Sequence, residues 1–324
     1  MLDVVCFGEI LWDMFETRPA AHEYRRELGG APANVATGLA RLGAKAAVVG
    51  GVGRDRFGEA LVLYLANDGV DVRFVVKLPN RTGLTFVTRD AKGEPEFLFY
   101  RHDSADLAVR AKHVVAAMGR ARWALVGSST LMTRELARAT ARFLDVAGRA
   151  GASLFVDLNV RAHLWPSRRA MERAIGALVR RATVVKASDA DLRAVSGGAA
   201  GLRWLERHAP QATWLVTRGG GVASAIGEHG SIDVPALRAR CVDATGAGDA
   251  FIAGALATLV AARAVPRSAS WSAPEVWRTA LRAGHLMGKK AVSRPGAVAG
   301  LVHLGRVRAV IETAASRTKT RSAP

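Results

Sequence analysis

Residues Val242–Ala262 read VDATGAGDAFIAGALATLVAA. Gly246, Ala247 and Gly248 carry no bulky side chain, so backbone there can approach a ligand closely. The apolar run that follows makes this segment the first turn of a helix. Amides at such a start have no intrahelical acceptor, and with the helix dipole they form an anion site. Asp249 sits beside that anion. It has two readings: a residue that caps the helix, or a general base that takes a hydroxyl proton as acceptor and phosphate come together. From Ala250 to Ala262 the apolar stretch is too short to span a bilayer.

Working outward, short apolar runs alternate with longer segments of helical spacing. DVVCFG, AAVVGGVG, WALVGSS, SLFVDLN, TVVKAS and TWLVTRG read as strands. ANVATGLARLG, FGEALVLYLANDG, RELARATARFLDVAGRAG and SRRAMERAIGALVRRA read as helices, several ending at Gly. Strands that are apolar throughout and separated by helices predict a mostly parallel sheet covered on both faces. Ligands of such sheets bind beyond the carboxyl ends of the strands, where this chain places GSST, DLNVR, KASDAD and TRGGG. Two regions break the rhythm. GEILWDMFETRPAAHEYRRELGG and TGLTFVTRDAKGEPEFLFYRH alternate apolar and polar residues, and the second holds a turn signal at Ala91-Lys92-Gly93. They predict antiparallel strands outside the main sheet, an appendage able to cover a site.

Bulk composition narrows the class. The 324 residues suffice for one large α/β domain, and half are hydrophobic. The net charge of +18 raises nucleic-acid binding, but 38 arginines are scattered through every predicted helix and form no stripe. They read as solvated helix faces whose field also attracts an anionic substrate. Cys6 and Cys241 each lie in an apolar, strand-like run and are expected as buried free thiols, with no disulfide or metal framework. The start, MLDVVCFGEILWD, lacks the basic region of a signal peptide, so a cytoplasmic protein with no membrane partner is expected. Neither G-x-x-x-x-G-K-[ST] nor a G-x-G-x-x-G after a strand is present, which argues against a P-loop or dinucleotide enzyme.

DATGAGDAFIAG resembles the C-terminal signature of the PfkB, or ribokinase-like, carbohydrate kinases. GGAPANVATGLARLG at Gly29–Gly43, followed by GGVGRDRFG at Gly50–Gly58, resembles their N-terminal signature. The likeness continues through FYRHDSADL, VDLNVRAHLW, VVKASDADL and VTRGGG to SRPGA. It implies a Rossmann-like three-layer α/β/α core with a small β-sheet lid. One domain would span 1–312, with the lid mainly at about 10–30 and 83–105, and 313–324 would be a flexible tail. It also implies ATP as phosphoryl donor, Mg²⁺, and a sugar as acceptor.

Residue by residue, the resemblance makes Asp249 the catalytic base and the amides of Gly246, Ala247 and Gly248 the hole for the transferring phosphate, with Arg161 facing the phosphates. Asp13, Gly30 and Asn34 would hold the sugar, with Arg101 on the lid side. Lys186, Ser188, Asp191, Thr217, Gly219, Gly221 and His285 would line the nucleotide side. Asp191, where the family often has Glu, would hold Mg²⁺ through water. His285 replaces the Asn that relatives often place near adenine. Asp243 and Thr245 would be the nearest ligands of a monovalent cation such as K⁺. The lid often pairs two subunits in this family, so a homodimer is expected.

GGAPANVA, FYRHDSADL, VDLNVRAHLW and the GEILWD opening look most like bacterial fructokinases. Ala31-Pro32 replaces the lysine that ribokinases usually carry there, which argues against ribose. The expected reaction is phosphorylation of D-fructose at the 6-hydroxyl. Two alternatives stand: a 2-keto-3-deoxygluconate kinase, with Arg101 meeting the acid, and a non-catalytic sugar sensor on the same scaffold.

Overall fold

Alternate residues of the first strand, β1 (Val4–Phe7), point into two different cores. Val4 and Cys6 join one apolar cluster; Val5 and Phe7 join the other, where Phe7 stacks on Phe143 at 5.0 Å. That is what a strand of period two does when helices cover both faces of its sheet. Full burial of each such side chain contributes about 1.5–3 kcal/mol. The computed structural model describes residues 1–17, 23–89, 95–114, 121–198, 201–302 and 304–321.

The chain continues through β2 (Leu11–Glu16), β3 (Tyr24–Gly29), α1 (Ala31–Arg41), β4 (Ala46–Gly53), α2 (Arg56–Asn67), β5 (Val75–Leu78), β6 (Leu84–Arg89) and β7 (Pro95–Tyr100). Next come β8 (Trp123–Gly127), α3 (Arg134–Arg149), β9 (Ser153–Asp157), α4 (Arg168–Val179), β10 (Val184–Ser188), α5 (Asp189–Ser196), α6 (Gly201–His208) and β11 (Thr213–Thr217). It closes with β12 (Val222–Gly227), β13 (Gly230–Pro235), α7 (Ala247–Ala261), α8 (Pro274–Ala291) and α9 (Gly305–Arg321). Side-chain oxygens of Asp55, Thr133, Ser167 and Ser188 cap α2, α3, α4 and α5.

The large sheet runs β13-β12-β11-β10-β9-β8-β1-β4-β5. Every neighbouring pair from β11 to β5 is parallel; β12 and β13 add an antiparallel hairpin at one edge. Helices α1, α2, α7, α8 and α9 supply one core, and α3 to α6 the other. This is the expected three-layer α/β/α arrangement, and each run expected as a strand or helix forms one. Sequence order reverses between β1 and β8, which makes the space beyond their carboxyl ends the crevice of the sheet.

The appendage is a second sheet of order β3-β2-β6-β7. It is not wholly antiparallel as expected: two antiparallel hairpins join through a parallel pairing of β2 with β6. Both inner strands leave the core in the same direction, so they can only pair that way. The turn at Ala91-Lys92-Gly93 lies outside the described residues.

Helix α7 is buried almost all round, from Asp249 to Leu259, because α1 and α8 both pack on it. A Cβ at Gly254 would stand 2.5 Å from the carbonyl oxygen of Ala283, so the two long helices touch backbone to backbone. Two expectations are corrected. Cys6 is buried, but Cys241 is exposed in the irregular stretch before α7, where its neighbours from Leu237 to Val242 are exposed as well. Helix α9 runs through most of 313–324 instead of a loose tail, since Val307, Ile311 and Ala314 recur at helical spacing and are buried; residues 322–324 lie outside the described ones. Trp204, Trp214, Trp271 and Trp277 are core residues. Among the described residues no helix is long and apolar enough to cross a membrane.

Candidate active site

Two cavities meet at the start of α7. The first, of about 330 Å³, lies beneath the small sheet and is lined by Glu9, Asp13, Gly30, Asn34, Arg101 and Asp249 among others. The second, of about 680 Å³, lies between α7, α8 and the ends of β10 and β11; Ser188, Thr217, Gly219 and His285 line it. Lys186, Ala244 and Gly248 belong to both walls.

The wall they share is the first turn of α7. Gly246 caps the helix with φ +72°, a left-handed conformation, and a Cβ there would stand 2.3 Å from the Cβ of Ala297. Only glycine satisfies both demands. Among the described residues, the N–H groups of Gly246 and Gly248 have no backbone acceptor, and both residues line the first cavity. Ala247 departs from expectation: its N–H donates to the carbonyl of Ala244 at 3.2 Å, closing the turn. Asp243 holds this loop from below. Its Oδ1 accepts from the N–H and hydroxyl of Thr245 at 2.9 and 2.7 Å, and Oδ2 from the N–H of Gly296 at 2.9 Å.

Asp249 points into the first cavity. Its Oδ2 accepts from Asn34 Nδ2 at 2.8 Å, and the carboxyl is pushed up to about 7. Burial is the main cause, with the charge of Asp157 adding; Asn34, Lys186 and Arg161 pull the other way. A carboxyl half-ionised near neutrality has the proton affinity a general base needs. Asn34 Oδ1, also buried, has no partner and is left for a ligand. Asp13 on β2 is pushed up further, to about 8, by burial and by the Asp249 charge, against Arg101.

Arg101 is buried and spoken for. Its Nε donates to Asp106 Oδ2 at 2.9 Å and Nη2 donates to the same oxygen, while Ser104 donates to Asp106 Oδ1. Arg161 is exposed at the mouth, with contacts of 3.4 Å to the carbonyls of Asn159 and Val160, so its guanidinium is available to an anion.

On the second side, Lys186 Nζ lies 3.3 Å from Asp157 and faces Gly248. Burial lowers the Lys186 affinity for its proton, but Asp157, Asp191 and Asp249 outweigh it, and the net shift is upward. Asp191 lines neither cavity. Its Oδ1 accepts from Val160 N–H at 2.7 Å and its Oδ2 from the N–H and hydroxyl of Ser188, so the shorter acid folds back as a capping box. Gly220, not Gly221, lines the cavity beside Gly219; the N–H of Gly221 closes a turn onto Arg218 at 2.8 Å. His285 does line it, with Nε2 3.0 Å from the carbonyl of Val234 and its ring edge-on to Phe251. Burial lowers its pKa, so the imidazole is neutral at pH 7.

Sequence reasoning named neither Glu9 nor Asp157, nor the lid aromatics Phe97 and Phe99 that line the first cavity. The first two were findable by the strand-end rule, since each follows or ends a strand of the large sheet. The aromatics carry no such signal.

Two small-molecule cavities joined at one amide-lined helix start, with a near-neutral acid between them, define an enzyme that moves a group from one molecule to the other. The chain belongs to the pfkB family of carbohydrate kinases: the model described as "pfkB family carbohydrate kinase" matches residues 1–303. It is 38% identical over 273 residues to fructokinase-1 of Zea mays, an alignment covering 79% of this chain and 83% of that one. A crystal structure of fructokinase with bound ATP from Xylella fastidiosa superposes with a TM-score of 0.86 at 31% identity, covering 97% of this chain and 99% of that one. Fructokinase from Vibrio cholerae O395, bound to fructose, ADP and calcium ion, gives a TM-score of 0.85 at 26% identity, covering 95% and 98%.

Proposed function

We propose that this protein transfers the γ-phosphate of ATP to the 6-hydroxyl of D-fructose, giving fructose 6-phosphate. The observation that carries the reading is the position of Asp249, a buried carboxyl poised near neutral pH where the two cavities meet. The sugar lies in the first cavity against Asp13, Gly30 and Asn34, whose carboxylate and amide suit a polyol. The nucleotide lies in the second, along Thr217, Gly219 and Gly220. Asp249 accepts the hydroxyl proton as the oxygen attacks. The free amides of Gly246 and Gly248 and the charges of Lys186 and Arg161 stabilise the transferring phosphoryl group, which needs positioning and charge more than covalent chemistry.

Among the described residues no group of three acidic, histidine or cysteine side chains could hold a metal, and Asp191 lines neither cavity. Mg²⁺ therefore belongs to this reading as part of the nucleotide substrate, held by phosphates and water as is usual for that ion. Asp243 Oδ2 takes a single donor and keeps a lone pair, so Asp243 fits as one ligand of a K⁺ ion. Comparing rates in potassium and tetramethylammonium salts tests that part. A homodimer through the small sheet is also proposed, supported by the exposure there of Tyr24, Phe97, Leu98 and Tyr100; sedimentation of the free protein tests it. A cytoplasmic location completes the reading, where ATP is held at substrate concentration.

The acid 2-keto-3-deoxygluconate would need an uncommitted cation at the sugar, whereas Arg101 is paired with Asp106. A non-catalytic sensor would have no use for Asp249. A kinase assay over a panel of sugars with ATP and Mg²⁺ tests the proposal. Turnover of fructose above the other acceptors is expected, and faster turnover of 2-keto-3-deoxygluconate overturns it.

A further inference from the structure

Glu9 stands two residues past the end of β1, and Ser129 two residues past the end of β8. These are the neighbouring strands between which the sheet reverses its order. Across that crevice Ser129 Oγ donates to Glu9 Oε2 at 2.7 Å, and both residues line the first cavity. The bond consumes the only proton of the hydroxyl. What the pair then offers the cavity is acceptors alone: Glu9 Oε1, which has no protein partner among the described residues, and the lone pairs of Ser129 Oγ.

The surroundings sharpen this. Glu9 joins Asp13 and Asp249 in a single cavity of about 330 Å³ and contributes to the upward displacement of the Asp13 carboxyl. Of the three cations on the wall, Arg101 is paired with Asp106, Lys186 is paired with Asp157, and Arg161 is exposed at the mouth. The interior end of the cavity is therefore rich in acceptors and short of free positive charge. A neutral polyol, with a hydroxyl on nearly every carbon, supplies the donors such a wall requires. A sugar acid presents a carboxylate, which brings a like charge and no proton.

We propose that Glu9, held by Ser129, is the specificity-determining residue of the acceptor cavity: its free carboxylate oxygen receives a hydroxyl of a neutral sugar and rejects a carboxylate at the same place. This rests on the sugar-kinase reading above and adds to it the element that selects neutral over acidic acceptors. No covalent step is involved, and Glu9 takes no proton.

The test uses the full-length enzyme and the variants Glu9→Gln and Ser129→Ala, assayed with fructose and with 2-keto-3-deoxygluconate at fixed ATP and Mg²⁺. Glutamine keeps the size and can still accept from Ser129, so folding is preserved; the thermal midpoint checks it. A hydrogen bond to a charged group is worth on the order of tenfold or more in an equilibrium constant. Glu9→Gln is therefore expected to raise KM for fructose about tenfold, to change kcat by less than about threefold, and to raise the ratio of kcat/KM for the acid over fructose by tenfold or more. Ser129→Ala is expected to raise KM for fructose by a smaller factor, since it leaves the charge and removes only its anchor. An unchanged KM and an unchanged acid-to-fructose ratio overturn the inference. So does a fall in kcat at constant KM, which would place Glu9 in the chemistry, or a parallel loss on both acceptors with a lowered midpoint, which would make the pair a structural brace. Absence of fructose turnover by the unaltered enzyme would instead count against the fructose reading, and the variants are then compared on whichever neutral sugar it phosphorylates fastest.

Discussion

Asn34 on α1 donates its amide hydrogen to Asp249 on α7 at 2.8 Å, joining residues 215 positions apart in the chain. The bond holds the carboxyl in one orientation and leaves Asn34 Oδ1 for a ligand. Removing the base by Asp249→Asn is expected to lower kcat by about 100- to 10,000-fold while ATP binding, followed by nucleotide titration, stays near that of the unaltered enzyme. A variant that keeps near-normal kcat would show that Asp249 is only a cap.

The same carboxyl sets opposite pH slopes for activity and stability. Its ionised form is the base, so kcat/KM for the sugar is expected to rise with pH and reach half its plateau near 7. Stability moves the other way. Asp249 and Asp13 have folded-state values of about 7 and about 8, above the 3.8 of an unhindered Asp. The folded state then binds more protons than the unfolded one across that window. Their contribution is fully present below pH 3.8 and is lost as pH rises through 7 and 8. The thermal midpoint of the free enzyme should thus decline from pH 5 to 8, and Asp249→Asn should flatten the decline. A midpoint that climbs over this range through the same two groups would contradict the assignment.

Lys186 and Asp157 form a buried ion pair at 3.3 Å behind the amide-lined turn. Lys186→Met leaves the Asp157 carboxyl buried without its partner, which typically costs about 3–5 kcal/mol. Adding Asp157→Asn should restore much of that stability in denaturant unfolding without restoring turnover. Equal stability of the single and double variants would mean that the pair contributes little to the fold.

Gly246→Ala forces a side chain into a left-handed backbone and against Ala297. A loss of about 1–3 kcal/mol is expected from the strained backbone, with kcat falling more steeply than ATP affinity because the amide beside the phosphate is displaced. Gly254→Ala meets the Ala283 carbonyl in mid-helix instead. It should cost about 1–3 kcal/mol by overpacking and leave kcat far less affected. Calorimetry with steady-state kinetics on both variants separates the two effects.

The strands β1, β4 and β8 to β11 and the helices α1 to α4 were legible because burial on both faces writes continuous apolar runs, and amphipathic packing writes a 3.6-residue period. The edge strands β5, β12 and β13 were not: half-exposed, they carry neither pattern, and Gly-rich or mixed composition hides them. Cys241 was misplaced for a related reason, since a local apolar run cannot say whether anything covers it.

For the site, the small residues around Gly246, the acid at Asp249 and the signature spacing were sufficient to identify the helix start and the family, because backbone approach and free amides are local consequences of residue type. Which partners the site's side chains meet is only partly local. That Glu9 faces Ser129 and that Asp191 receives the Val160 N–H both depend on strand ends brought together by the sheet; the Ser188–Asp191 capping box and the Arg101–Asp106 pair, three and five residues apart, are by contrast local. A carboxylate's chemistry follows from its burial and its neighbours' charges, and only the folded chain supplies those neighbours.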